Sequence, residues 1–119
     1  MSRILSGIRF ESGEVVLIPF PFTDLSQVKR RPVLILSSSR HNRDSRDFIS
    51  CGITSNLGNR RNSVMLDPSE MVDGSIPTRS RIKYDKVFTL EKGLVLRGLG
   101  KVSSHKLSQV RSGLMSLLG

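Results

Sequence analysis

Apolar residues fall along this chain in short runs, and most of the runs have the make-up of strands. Glu14 to Phe20 reads EVVLIPF, rich in β-branched residues and preceded by Gly13. Pro32 to Leu36 reads PVLIL, a continuous apolar run that suits a strand buried on both faces. Phe48 to Thr54 (FISCGIT) and Ser63 to Asp67 (SVMLD, stopping at Asp67-Pro68) follow. Arg81 to Leu90 reads RIKYDKVFTL, one bent strand or two short ones. The runs are too short and too closely spaced for crossover helices, so an all-β barrel with mostly antiparallel pairing is the natural solution. Near the end the period changes. Ser103 or Ser104 can cap a helix, and Leu107, Val110, Leu114 and Leu117 or Leu118 recur at helical spacing. This predicts an amphipathic helix packed on the barrel. Gly113 inside it costs about 1 kcal/mol relative to Ala, so packing must hold it.

Between the runs lie three polar or basic segments: Pro21 to Arg31, Ser37 to Asp47, and Ser55 to Asn62. All three are expected at one end of the barrel. There is no internal repeat and no low-complexity linker, and 119 residues suit one domain spanning 1–119. No apolar run approaches the roughly 20 residues of a bilayer helix. The N-terminal ten residues lack the apolar stretch of a signal peptide, which points to the cytoplasm. One Cys excludes an internal disulfide framework. Two His and one Cys, scattered, make no zinc site, and no metal or other cofactor is expected.

Charge changes the picture most. Lys and Arg number 19 against 10 Asp and Glu, a formal charge of +9. Such an excess favours nucleic acid, an acidic protein segment or an anionic membrane, against the plainer reading of a solvated basic surface. The cations are spread through the domain, as Lys29-Arg30-Arg31, then Arg40, Arg43 and Arg46, then Arg60-Arg61, then Arg79, Arg81, Lys83 and Lys86. That is not the pattern of a disordered basic tail.

The stretch Gly13 to Ser37, GEVVLIPFPFTDLSQVKRRPVLILS, resembles the opening of the PemK/MazF toxin family. The family begins with a Gly-acid-Val strand start, a variable loop, and Arg-Pro followed by an apolar strand ending in Ser. Here the Arg-Pro is Arg31-Pro32. Ile53-Thr54-Ser55-Asn56 resembles the end of the family's third strand, and Ser80 to Leu90, SRIKYDKVFTL, its late strand pair. The Gly100-Lys101-Val102 strand and the closing helix complete the match from about Gly13 onward. The resemblance implies an SH3-like barrel with a C-terminal helix, in general a homodimer. It also implies metal-independent cleavage of single-stranded RNA at short motifs, with restraint by a cognate antitoxin.

Metal-free cleavage uses the ribose 2′-hydroxyl as nucleophile and leaves a cyclic phosphate. It needs accommodation of the 2′ proton, stabilisation of charge on the non-bridging oxygens, and in-line alignment. The family assigns a catalytic role to the Arg matched by Arg31. A guanidinium fork donates two parallel hydrogen bonds to phosphate and stays charged, so phosphate stabilisation is the conservative role. Pro32 restricts Arg31 to extended conformations at the start of a strand. Thr54, where the third strand runs out, is the second catalytic candidate. Lys29 and Arg30 are candidates for steering RNA, Ser55 for contacting phosphate and Asn56 for reading a base edge. Lys86 can screen phosphate repulsion. Asp85 can accept from a base amino group or orient Arg31. Tyr84, Phe20 and Phe22 are the available stacking faces. His41 is a weaker candidate in the Arg-rich segment, His105 reads as a surface residue, and Cys51 as a small buried hydrophobe. Two other readings use the same barrel: a non-enzymatic inhibitor of DNA gyrase, and a basic nucleic-acid-binding module without activity. The combination of Arg31, Thr54 and Lys86 favours the nuclease.

Overall fold

The computed structural model describes residues 8–21 and 28–119. Residues 22–27, with the stacking candidate Phe22, lie outside the described residues. The described chain forms one antiparallel sheet of seven strands: β1 (Glu14–Pro21), β2 (Val28–Ile35), β3 (Asp47–Thr54), β4 (Ser63–Leu66), β5 (Met71–Gly74), β6 (Ser80–Glu91) and β7 (Arg97–Val102). Their order across the sheet is β4-β6-β3-β2-β1-β7-β5. A short helix α1 (Ser39–Asp44) precedes β3, and α2 (Ser104–Leu118) closes the chain.

The order of strands forces the sheet to curl. β4 and β5 stand at opposite edges, yet only residues 67–70 join them. Seven flat strands about 4.8 Å apart would separate those edges by roughly 29 Å. Five Cα steps of about 3.8 Å reach no more than about 19 Å. The sheet therefore bends into a half-barrel, and the expected mainly β barrel with a packed C-terminal helix is what the chain adopts. β1 and β2 lie mid-sheet with both faces covered. Val15 and Leu34 belong to the inner core with Ile53, Ile82 and Val110 of α2. Val16, Ile18, Val33 and Ile35 belong to a second core with Ile8, Phe48 and Val95. That is why these strands read as unbroken apolar runs rather than alternating ones.

The connection between the edge strands is fixed by two carboxylates, Asp67 and Glu70. The Asp67 side chain accepts from the Ser69 N–H at 3.0 Å, and the Asp67 N–H donates to Glu70 Oε1 at 2.8 Å. The second oxygen, Glu70 Oε2, takes Lys106 Nζ of α2 at 2.9 Å. Lys106 is the helix's buried cation, 6% exposed. Burial raises the Glu70 pKa, but the Asp67 N–H and the Lys106 ammonium outweigh it and hold the carboxyl below its ordinary 4.5. A group held below its unfolded value stabilises the fold above that value and stops doing so as pH falls through the folded one. Glu70→Gln is thus expected to cost about 1–2 kcal/mol near neutral pH, discounted because the side chain is 36% exposed. Thermal melts at stepped pH should show the gap from wild type closing below about pH 4.5. A gap that stays constant to pH 3 would show that the carboxylate charge contributes nothing.

The elements differ from expectation in four places. Arg31 is not at the start of a strand: β2 begins at Val28, and Arg31 pairs with Ile18 inside the β1–β2 ladder. Hairpin pairing carries the strand back past Pro32, which is tolerated because pairing to β3 begins only at Val33. The segment Ser37 to Asp47 contains α1, started by Ser38, whose hydroxyl accepts from the His41 N–H at 3.1 Å. That segment also lies at the opposite end of the barrel from Ser55 to Asn62, because it precedes β3 while the other follows it. β5 was not legible in the pattern, since MVDG carries too little alternation to mark a strand.

Candidate active site

Two ladders are interrupted at the same residue. β2 pairs with β3 from Ile35↔Ser50 to Val33↔Gly52 and no further. β3 pairs with β6 as Cys51↔Val87 and then Gly52↔Lys83, so Tyr84, Asp85 and Lys86 leave the ladder as a bulge. With no strand pairing on one side of β3 and a bulge on the other, a gap opens beside Gly52. It is a cavity of about 260 Å³, walled by Phe20, Arg31, Thr54, Lys83, Lys86 and Phe88, with Pro32 and Gly52 between them. Bulges re-aim side chains in this way.

The cavity brings Arg31 of β2 and Thr54 of the neighbouring β3 to one place, beyond the point where the two strands stop pairing. Arg31 is half-buried and its Nε is fully covered. Thr54 Oγ1 accepts from the Asn56 N–H at 3.1 Å, which fixes the oxygen and leaves its hydroxyl hydrogen to donate elsewhere. Phe20 and Phe88 meet edge to face, ring centroids 5.7 Å apart, and give the cavity apolar walls. A second recess of about 260 Å³ adjoins it on the Arg31 side, lined by Lys29, Arg30, Ser55, Thr78 and Ser80. A third, of about 240 Å³, adjoins it on the Lys83 and Lys86 side and holds Asp85 and the buried Arg81.

The sequence-predicted residues therefore divide. Arg31, Thr54 and Lys86 share the central cavity; Lys29, Arg30 and Ser55 line one neighbour; Asp85 lines the other and not the cavity of Arg31. Asn56 sits at the turn after β3, its side-chain oxygen taken by the Gly58 N–H at 2.9 Å and its carbonyl by Arg81 Nε at 2.7 Å. Tyr84 is not brought to the cavity. It packs on the inner core, with its ring against Gly113 of α2. The aromatic faces at the cavity are Phe20 and Phe88 instead. His41 lies on α1, which precedes β3, whereas Thr54 ends that strand, and His41 does not line the cavity. His105 is exposed on α2. Cys51 is wholly buried, and burial pushes its thiol up to about 12, so it supplies no thiolate. Among the described residues no three His, Cys, Asp or Glu side chains are grouped to hold a metal.

Sequence reasoning missed Gly52, Lys83, Phe88 and Thr78. Lys83 was visible only as one of several cations. The signal for Gly52 was its place inside an otherwise apolar strand, the usual mark of a bulge or close approach.

Residues 11–118 match the family model described as PemK-like, MazF-like toxin of type II toxin-antitoxin system. The chain belongs to this toxin family. The match runs from before β1 to the end of α2, so it covers the whole site. No curated protein sequence matches the chain. Among solved structures, the Form-II MazE-MazF crystal structure from Deinococcus radiodurans aligns at TM-score 0.75 with 26% identity, over 92% of this chain and 95% of that one. An endoribonuclease in complex with its cognate antitoxin from a mycobacterial species aligns at TM-score 0.72 with 24% identity, over 92% and 94%. An endoribonuclease from a mycobacterial species aligns at TM-score 0.71 with 22% identity, over 98% and 96%. No helix of the described PemK/MazF-type toxin is long and apolar enough to cross a membrane.

Proposed function

We propose that this toxin is a sequence-selective endoribonuclease that cuts single-stranded RNA without a metal and is neutralised by a cognate antitoxin. The observation that carries the reading is the meeting of Arg31 and Thr54 at one cavity, at the point where both ladders break. Family membership and likeness to solved endoribonucleases, one of them bound to its antitoxin, support it.

In this reading the scissile phosphodiester sits between Arg31 and Thr54. The 2′-oxygen gives up its proton and bonds to phosphorus, and the 5′-oxygen leaves with the downstream strand and takes up a proton. The products are a 2′,3′-cyclic phosphate and a 5′-hydroxyl. Arg31 donates to the non-bridging oxygens, where charge builds up. The Thr54 hydroxyl donates to the same phosphate or to the 2′-oxygen and aligns it. Lys83 and Lys86 offset the charge of the chain entering the cavity, while Lys29, Arg30 and Ser55 take it up on the other side. A flanking base can stack on Phe20 or Phe88, at about 1–3 kcal/mol per base.

The same basic, partly apolar groove suits an antitoxin segment rich in acidic and apolar residues, which would exclude RNA by occupying it. We place the toxin in the cytoplasm, where mRNA and a co-made antitoxin meet it, as a homodimer. The exposed Met115, Leu117 and Leu118 at the end of α2 are available to such an interface.

The test is a long single-stranded RNA incubated with purified toxin in excess chelator, with both new ends mapped. Cleavage at a recurring short motif, ending in cyclic phosphate and abolished by a single 2′-deoxy nucleotide at the cut, is expected. Intact RNA under these conditions, or cutting that survives the 2′-deoxy substitution, would overturn the mechanism. Inhibition of gyrase supercoiling with intact RNA would favour a protein-binding toxin instead.

A further inference from the structure

The recess beside the central cavity has a composition that a phosphate does not explain. Arg61, Arg81, Lys83 and Lys86 line it, but so does Asp85, and Asn59 adds an amide. A carboxylate in a phosphate pocket repels its ligand. None of Arg61, Lys83, Asp85 and Lys86 makes an ion pair with another described residue, although charges of both signs face one space of about 240 Å³. Opposite charges held near each other but not joined leave donors and acceptors available to a third party that uses both.

Arg81 gives the recess a rigid wall. It is 5% exposed, its Nε donates to the Asn56 carbonyl at 2.7 Å, and an Nη lies 3.4 Å from Ser63 Oγ. Its ladder partner is Thr54, so the wall stands one step from the cutting site. Asp85 reaches the recess because it lies in the β6 bulge, free of the ladder. Lys83 and Lys86 line both the recess and the central cavity, so the two spaces are neighbours along one groove.

We propose that this recess selects guanine in the nucleotide next to the scissile phosphate, an inference that rests on the endoribonuclease reading above. Guanine carries two adjacent donors, N1–H and the 2-amino group, which match the two oxygens of the Asp85 carboxylate. On its other edge it carries two acceptors, O6 and N7, which match the Lys83 ammonium and the Arg61 guanidinium. Adenine and cytosine each offer a carboxylate only an amino group beside an acceptor nitrogen, and uracil offers a single N–H. Guanine alone uses both carboxylate oxygens and both kinds of cation.

Binding of fluorescent uridine heptamers to the full-length Arg31→Ala toxin tests this apart from cleavage. The heptamers carry one central guanine, adenine, cytosine or inosine. The guanine heptamer is expected to bind about tenfold tighter than the adenine one, the size of one good bidentate pair. Inosine, which lacks the 2-amino group, should fall between them. Adding Asp85→Asn should shrink the guanine preference below about twofold at an unchanged melting temperature, because Asp85 is exposed and packs on no core. Equal binding of all four, preference for adenine or cytosine, or a guanine preference that survives Asp85→Asn would overturn the proposal. Cleavage mapping separates the two ideas. Cutting with no guanine enriched within one nucleotide of the ends sinks the recess and spares the nuclease. Guanine-selective binding by a toxin that never cuts sinks the nuclease and spares the recess. No RNA binding at all sinks both.

Discussion

Arg31→Ala is expected to slow RNA cleavage by about 10²–10³-fold while leaving the fold intact, the loss seen when one preorganised donor to a developing oxyanion is removed. The size follows from where the residue stands. Arg31 is inside β2, half-buried, with its Nε covered and its backbone held in the ladder opposite Ile18. Its guanidinium is thus oriented before substrate arrives and loses little freedom when it binds. Pro32 adds to this by confining Arg31 to extended backbone. Arg31→Lys separates charge from geometry. An ammonium keeps the charge but not the fork, so partial recovery, roughly midway between Ala and wild type on a logarithmic scale, is expected. Single-turnover cleavage of one mapped site measures both variants, with a thermal melt as the check on folding. A folded Arg31→Ala toxin that cuts at the wild-type rate would remove Arg31 from the chemistry.

Gly113→Ala is expected to destabilise the protein by about 1–2 kcal/mol, although the same change in an isolated helix would stabilise it by about 1 kcal/mol. A Cβ built at Gly113 falls 2.5 Å from Cζ and 2.8 Å from Cδ2 of Tyr84, inside any permitted contact. The ring cannot simply retreat, because it is packed against the inner core that α2 covers. The overpacking penalty therefore wins over propensity. For a domain of this size the melting temperature should fall by about 4–8 °C. Tyr84→Leu in the Gly113→Ala background removes the colliding ring edge and should recover most of the loss. Ser112→Ala, at an exposed neighbouring position, should change little. A rise in melting temperature for Gly113→Ala would show that helix and ring are not in contact. Tyr84 also opens the bulge that carries Asp85 and Lys86, so Gly113→Ala is expected to weaken RNA binding as well.

The sequence by itself determined the class of the fold. Runs of β-branched residues, punctuated every several residues, admit strands but not crossover helices, and the unbroken apolar character of EVVLIPF and PVLIL already places β1 and β2 between two cores. The spacing of Leu107, Val110 and Leu114 fixes α2, and Ser103 caps it by accepting from the Lys106 N–H at 3.1 Å. Arg31-Pro32 and Ile53-Thr54 were legible as candidates because their residue types suit phosphate chemistry and their order matches a family. What the tertiary structure decided is which of the candidates share a space. Tyr84 and Phe88 lie four residues apart in one strand, yet the bulge opposite Gly52 sends the first to the helix and leaves the second at the cavity. Residue type fixes what a side chain can do, and local pattern fixes the element that bears it. Where ladders break depends on pairing between residues distant in sequence, which no local pattern records. In this toxin those breaks make the site.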